Sequence, residues 1–333
     1  MKLTDKGIYA YTDPAAENAI LAIIDDLILD GYIPKKDFLV YTNNRKKQQQ
    51  YKDILDVEDF NENKLSELIL NFKPTYIFLG TSLNEYEHNW RKLGVKHNIK
   101  VISFIDHWTN YVERFSFNDE LIFGNEVRVV NEIAKKEAIR AGVPEKLIVI
   151  SGNPYYKKVK EFHPKILKKE FFDSLNININ KKVILFISDD IKRSFPSDLK
   201  GNCTLGFDEY SVLSELMISL TSIDIDLKYF QLILKLHPKS DLNKFEEILK
   251  NVPQNLNVIT IKDCDSLSIN YFSDYVIGMF SNMVIESYLM NKNILRIQIG
   301  QKNKDLLKYK KKYVNLVKKK DELDRELLLF LNE

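Results

Sequence analysis

The chain has 333 residues, 44% hydrophobic and 11% aromatic, and its 49 Lys and Arg nearly balance 47 Asp and Glu for a net charge of +2. That length exceeds the roughly 250–300 residues at which single cores stop growing, so two domains are expected, with the make-up of an ordinary globular protein. The balanced charge excludes a dedicated nucleic-acid binder, which carries a basic excess on one domain or stripe. Cys203 and Cys264 lie in no CxxC pair and beside no histidine, which argues against a disulfide framework or zinc site and for a reducing compartment. The opening run MKLTDKGIYAYTD passes from a polar start into a strand-like segment without a signal-peptide core. Nowhere do eighteen consecutive apolar residues occur, so a soluble, cytoplasmic protein is expected.

Short apolar runs alternate with helical patterns along most of the chain. In the first half, residues 7–11, 37–41, 76–80, 101–105, 127–130 and 147–151 read as strands. Helical stretches at 15–29, 61–71 and 135–141 lie between them, the last closed by Gly142 with Pro144 beyond it. The second half repeats the rhythm, with strands at 182–188, 232–236, 258–261, 275–278 and 294–299 and helices at 209–222, 242–251 and 283–291. Strands of four to six apolar residues alternating with helices imply parallel sheets covered on both faces. The expected division is an N-terminal domain over 1–155, a lysine-rich linker over 156–181 that opens after Gly152-Asn153-Pro154, and a C-terminal domain over 182–320. A terminal amphipathic helix over 321–333 is free to pack back on the first domain.

Two doubly wound sheets joined in this way face each other across a cleft, and such sheets bind ligands beyond the carboxyl ends of their strands. Residues that directly follow strands are therefore the candidates. Asp106 follows an apolar strand and leads into His107-Trp108. A partly buried carboxylate there can take a proton from an acceptor hydroxyl. His107 can do the same, while Trp108 serves either an acceptor or packing. His237-Pro238 ends another strand, so the imidazole is placed to donate to a phosphate oxygen. Ser281-Asn282 stands at the mouth of a helix, as a simple N-cap or as an anion site. Asp263 or Asp265 can accept from ribose hydroxyls, or be an ordinary loop carboxylate. Ser188-Asp189-Asp190 has a DxD-like look but is read as a loop or donor-contact feature rather than a metal site. The lysine-rich stretch from Lys304 to Lys320 is a solvated face, or a contact with anionic lipids of the inner membrane.

The order His237-Pro238, an acid at Asp265, then Ser281-Asn282 after a Val-x-Gly strand resembles the donor site of bacterial GT-B sialyltransferases. Tyr11-Thr12-Asp13-Pro14-Ala15 is similar to the first-strand turn of some members, which places Asp13 on the acceptor side, and Asp106 falls where the family's general base stands. Asn282 replaces the second hydroxyl, and Ile105-Asp106-His107 keeps one residue of the acidic motif. The resemblance implies a GT-B fold and an inverting, metal-independent glycosyltransferase without cofactor. The implied substrates are a CMP-activated nonulosonic acid and an oligosaccharide or lipid-linked acceptor. Asp106 would act as base, and His237, Pro238, Asp265, Ser281, Asn282 and Ser188 would hold the donor. The alternatives are a CDP-glycerol-type phosphotransferase, a nucleotide-sugar hydrolase or epimerase on the same fold, and a non-catalytic nucleotide- or glycan-binding subunit.

Overall fold

The computed structural model describes residues 6–44, 51–195, 197–198, 203–308 and 315–332. The chain divides into two compact units, Met1–Lys158 and Val159–Glu333.

The first unit runs β1 (Gly7–Tyr11), α1 (Pro14–Leu29), β2 (Phe38–Thr42), β3 (Leu55–Val57), α2 (Glu62–Phe72), β4 (Tyr76–Leu79), α3 (Glu85–Lys96) and β5 (Lys100–Ile105). A small hairpin of β6 (Ser116–Phe117) and β7 (Glu120–Leu121) follows, then β8 (Glu126–Val129), α4 (Glu132–Ala141), β9 (Ile148–Ile150) and α5 (Pro154–Lys160). Seven strands form one parallel sheet in the order β3-β2-β1-β4-β5-β8-β9. The strands β1, β2 and β4 are buried along their whole length, as both-face coverage requires. The sequence pattern missed β3, too short to show a period, and α3, whose composition is dominated by charge. Yet α3 carries Tyr86, Trp90 and Leu93 at helical spacing, and Trp90 is fully buried with ring contacts to Tyr41 at 5.2 Å and Phe60 at 5.9 Å.

The second unit runs α6 (Lys168–Ser174), β10 (Lys182–Ile187), α7 (Ile191–Ser194), α8 (Glu209–Ser222), β11 (Phe230–Lys235), α9 (Glu246–Leu249), β12 (Asn257–Ile261) and α10 (Ser266–Phe272). It ends with β13 (Tyr275–Gly278), α11 (Asn282–Leu289), β14 (Asn293–Ile297), β15 (Asn315–Val317) and α12 (Lys320–Asn332). Six parallel strands are ordered β12-β11-β10-β13-β14-β15. Residues 156–181, expected as linker, hold α6, whose Phe171 and Phe172 pack on Phe272. The expected helix over 242–251 shrinks to one turn because Lys244 is drawn inward to the buried Glu209, 2.7 Å away. The apolar face of α12 is taken up within this unit, where Tyr275 donates to the Leu331 carbonyl and Ser219 to Asp324. No helix of the described residues is long and apolar enough to cross a membrane. The middle of the 304–320 basic stretch, residues 309–314, lies outside the described residues.

In each sheet the strand order reverses once, between β1 and β4 in the first unit and between β10 and β13 in the second. Ligands of open α/β sheets bind at such switch points, beyond the carboxyl ends of the strands.

Two positions test how tightly these points are built. A Cβ on Gly278, the last residue of β13, would come 2.7 Å from Val284 Cγ2 on α11. Gly278→Ala is therefore expected to destabilise the protein by about 1–3 kcal/mol in urea unfolding, because helix and strand must part. Glu17, in the first turn of α1, is only 7% exposed, and burial pushes its carboxyl up to about 7. A carboxyl whose folded value is raised opposes folding once the pH exceeds its unfolded value, fully so above the folded one. Glu17→Gln should therefore stabilise the protein by about 1–3 kcal/mol at pH 8, the advantage fading as pH falls from 7 toward 4.5. An unchanged or lower stability at pH 8 would refute this.

Candidate functional site

The switch point of the second unit is built on one turn, Gly278-Met279-Phe280-Ser281-Asn282. The Met279 carbonyl accepts from Arg296 Nε at 2.7 Å and Gln298 Nε2 at 3.0 Å. Arg296 is held in turn by a bidentate pair with Asp305, at 2.7 and 2.5 Å. From the other side, Phe280 N donates to Asp189 Oδ2 at 3.3 Å. Ser281 occupies the N-cap position of α11, yet its side chain makes no capping hydrogen bond. Its Oγ and Asn282 Oδ1 are buried and have no hydrogen-bond partner among the described residues. A Ser-Asn pair at a helix start normally satisfies the helix's own N–H groups. Here the hydroxyl is left for something else, at a helix end that favours negative charge.

The neighbouring strand ends carry the other predicted residues. His237 follows β11 by two positions, and its Nδ1 accepts from Lys239 N at 3.2 Å. A backbone N–H can only donate, so the ring proton sits on Nε2 and the imidazole is a neutral donor there. Burial holds its pKa below the usual histidine value, against the pull of Asp190. Pro238 begins the turn that brings Lys239 N back to the ring. Ser188, just past β10, is buried and donates to the Asp189 carbonyl. Lys244 also donates to the Asp189 carbonyl, at 3.1 Å, and the Asp190 carboxylate is engaged by side chains. Lys244 Nζ lies 3.6 Å from Asp190 and 2.7 Å from Glu209, and Arg193 pairs with Asp190. Glu209 accepts from the N–H groups of Ile191 and Lys192, fixing the turn that follows the two aspartates. No group of three His, Cys, Asp or Glu among the described residues is arranged to hold a metal ion.

Asp265 takes the local structural role: it caps α10, accepting from Ser268 N and Ser268 Oγ. Glu286, which the sequence reading passed over, lies four residues after Asn282 on α11 and is buried. That spacing puts it one turn along the same helix face. The signal in the sequence was a lone acid within the apolar run of this helix, four residues after Asn282.

In the first unit the switch point gathers Thr12 and Asp13 after β1 and Gly80-Thr81-Ser82 after β4, with Asp106 one strand further on. Asp13 caps α1 through Ala15 N and Ala16 N, at 3.0 and 2.9 Å. Burial, then the charge of Asp106, push its carboxyl up to about 6 against those N–H bonds. Asp106 is buried, and Arg114 donates to its Oδ1 at 3.1 Å, to the Thr81 carbonyl at 2.7 Å and to the Thr109 carbonyl at 3.0 Å. The buried Glu87 of α3 accepts from Thr12 N at 3.0 Å and from Ser82 Oγ, so a helix absent from the sequence reading organises both turns. A Cβ on Gly80 would meet Ala16 Cβ at 2.6 Å, so only glycine lets α1 start this close to β4. His107 stacks edge-on against Trp108 and faces Thr109. Trp108 itself is packed: it is 2% exposed and its indole N–H donates to Asn131, the N-cap of α4.

No family model and no curated protein matches the sequence. Solved structures do. The UDP-GlcNAc 2-epimerase of Methanocaldococcus jannaschii aligns with 99% of this chain and 93% of its own, at TM-score 0.66 and 12% identity. The UDP-GlcNAc 2-epimerase of Neisseria meningitidis, bound to UDP-GlcNAc, covers 98% and 91% at TM-score 0.67 and 13% identity. Anabaena Alr3699/HepE in complex with UDP covers 98% and 90% at TM-score 0.63 and 11% identity. These likenesses establish the fold as two Rossmann-like parallel-sheet units of the GT-B-like kind. They also correct the expected kinship, because the similar structures are epimerases and UDP complexes rather than sialyltransferases. The CMP-activated nonulosonic acid donor falls with it. A histidine after one strand and a hydroxyl at the next helix start answer the needs of any phosphate at a switch point, whatever base is attached, so these short motifs do not discriminate cytidine from uridine.

Proposed function

We propose that the protein is an enzyme acting on a UDP-activated sugar, with 2-epimerisation as its reaction. The observation that carries this reading is the buried, unpartnered Ser281 hydroxyl at the start of α11, set at the β10/β13 switch point beside a histidine whose Nε2 is a donor. Ser281, His237 and the α11 N-terminus supply donors for a diphosphate, and the Asn282 amide oxygen can accept from a sugar or ribose hydroxyl. Pro238 and Ser188 shape the adjoining turns, and Glu286 is the acid suited to ribose hydroxyls. The likeness to epimerases, over nearly the whole of both chains, favours epimerisation over transfer.

The chemistry asks for two things that the chain contains. A proton at C2 of a hexose has no neighbouring carbonyl, so it leaves readily only as the C1–O bond to the diphosphate weakens. Inverting that carbon then requires a proton removed on one face and returned on the other. Diphosphate donors meet the first need. For the second, the first unit offers Asp106, oriented by Arg114, and Asp13, whose carboxyl still carries a proton near pH 6. Asp13 at a helix N-terminus and Asp106 paired with Arg114 stand in different environments, which suits them to opposite acid–base roles.

UDP and UDP-GlcNAc should raise the unfolding temperature more than CMP or GDP, and at about 100 times the dissociation constant UDP should add roughly 2.7 kcal/mol of stability. Ser281→Ala should weaken UDP binding by about tenfold or more in calorimetry. A panel in which CMP stabilises and UDP does not would remove the uridine assignment. In D₂O, NMR of the enzyme with UDP-GlcNAc should show the C2 epimer carrying deuterium at C2, and Asp106→Asn should slow this by about 10²–10⁴-fold. UDP binding with no deuterium at C2 in the wild-type protein would reject epimerisation and leave nucleotide binding standing.

A further inference from the structure

The group closest to the phosphate turn that can change charge is not one of its donors. Asp189 is buried, sits at the end of β10, and accepts Phe280 N at 3.3 Å. Ser281 follows Phe280 directly, so an anion on the Ser281 hydroxyl and the α11 N-terminus lies within roughly 7 Å of this carboxylate. The charges around Asp189 are the carboxylate of Glu209 from α8, the ammonium of Lys244 from the turn before α9, and the guanidinium of Arg296 from β14. Both cations are already committed: Lys244 to Glu209 and Asp190, and Arg296 to Asp305. A diphosphate arriving here therefore adds negative charge beside a buried carboxylate that has no free cation to offset it.

We propose that Asp189 is the proton acceptor of nucleotide binding: when a diphosphate seats on the Ser281–Asn282 turn, one proton from solvent passes to the Asp189 carboxylate, which becomes a neutral carboxyl. No bond other than that O–H forms, and Oδ2 keeps the Phe280 N–H, so the turn is held in both states. The inference rests on the reading of this turn as the diphosphate site. Burial, then the charge of Glu209, place the Asp189 carboxyl at about 7, against the Phe280 N–H, Arg296 and Lys244. It is thus divided between its two forms at neutral pH in the free protein. At an effective dielectric constant of about 20, one negative charge at roughly 7 Å raises proton affinity tenfold or more, enough to complete the protonation. His237 is the other group that can gain a proton when a phosphate arrives, and the test separates the two.

UDP is titrated calorimetrically at pH 7 in buffers of different ionisation enthalpy, with the wild type, Asp189→Asn and His237→Gln. The wild type should take up a few tenths of a proton more than Asp189→Asn, and His237→Gln should retain that uptake. From pH 6 to pH 8, wild-type affinity should fall about five- to tenfold relative to Asp189→Asn, the ionisation of UDP itself cancelling in the comparison. Equal uptake in the wild type and Asp189→Asn, or uptake lost in His237→Gln alone, overturns the inference. If Asp189→Asn does not fold, the wild type labelled with ¹³C at the Asp carboxyl decides by infrared difference spectroscopy. A labelled protonated-carboxyl band that grows on UDP addition in both the wild type and Asp13→Asn supports Asp189, and its absence from either overturns it. Failure of the wild type to bind UDP in any buffer is a different result, which removes the nucleotide reading and this inference together.

Discussion

The peptide between Met279 and Phe280 is held on both sides by buried charged groups, and the functional reading of the second unit depends on that grip. Arg296 and Gln298 fix its carbonyl, and Asp189 fixes its N–H. Burying such charges is costly unless each is paired, and a broken pair costs more than the intact pair contributes. Arg296 meets this condition through Asp305 and Lys244 through Glu209, whereas the Asp189 carboxylate has, among the described residues, the Phe280 N–H alone, and burial pushes its carboxyl up instead. With the backbone held from outside, Ser281 is not needed to cap its own helix. Its hydroxyl is therefore free at a position where the helix dipole and the strand ends already favour an anion.

The same topology gives the first unit a different chemistry. Its switch point is organised by Glu87, which reaches up from α3 to Thr12 and Ser82, and by Arg114, which ties Asp106 to the carbonyls of Thr81 and Thr109. Asp13 and Asp106 lie after β1 and β5, on either side of β4, whose own end is the side-chain-free Gly80. Here the polar groups are acids with few cations, and in the second unit they are an unpartnered hydroxyl and an imidazole at a helix start and a strand end. One sheet architecture thus presents buried carboxylates at one switch point and an unpartnered hydroxyl at the other, through the residues placed just past the strands.

Much of this was legible in the residues. Strand β1, helix α8 and strand β13 have the bounds that alternation of apolar runs and helical periods predicts, and His237 and Ser281 follow strands as expected. What escaped had physical reasons. The edge strands β3 and β15 are three residues long, below any readable period. Helix α3 hides Tyr86, Trp90 and Leu93 among charges that turn out to be buried, Glu87 and Arg91 with them. Asp265 looked like a ribose ligand because an acid after a strand suits either role, and its capping of the helix through Ser268, three residues on, is a local pattern that the reading passed over.

Local chemistry alone settled the fold class, because chain direction and apolar run length are written residue by residue. It did not settle the nucleotide: His237-Pro238 and Ser281-Asn282 meet a need common to every phosphate, and base recognition is not encoded in them. Tertiary structure decided which polar groups remain available. Trp108 and Asp190 are engaged by neighbours, while Ser281 Oγ and His237 Nε2 are left as donors. The hold on the Met279–Phe280 peptide depends on partners 17 and 91 residues away, Arg296 for Met279 and Asp189 for Phe280, and ~4 Å contacts between such distant residues exist only after the sheet has formed.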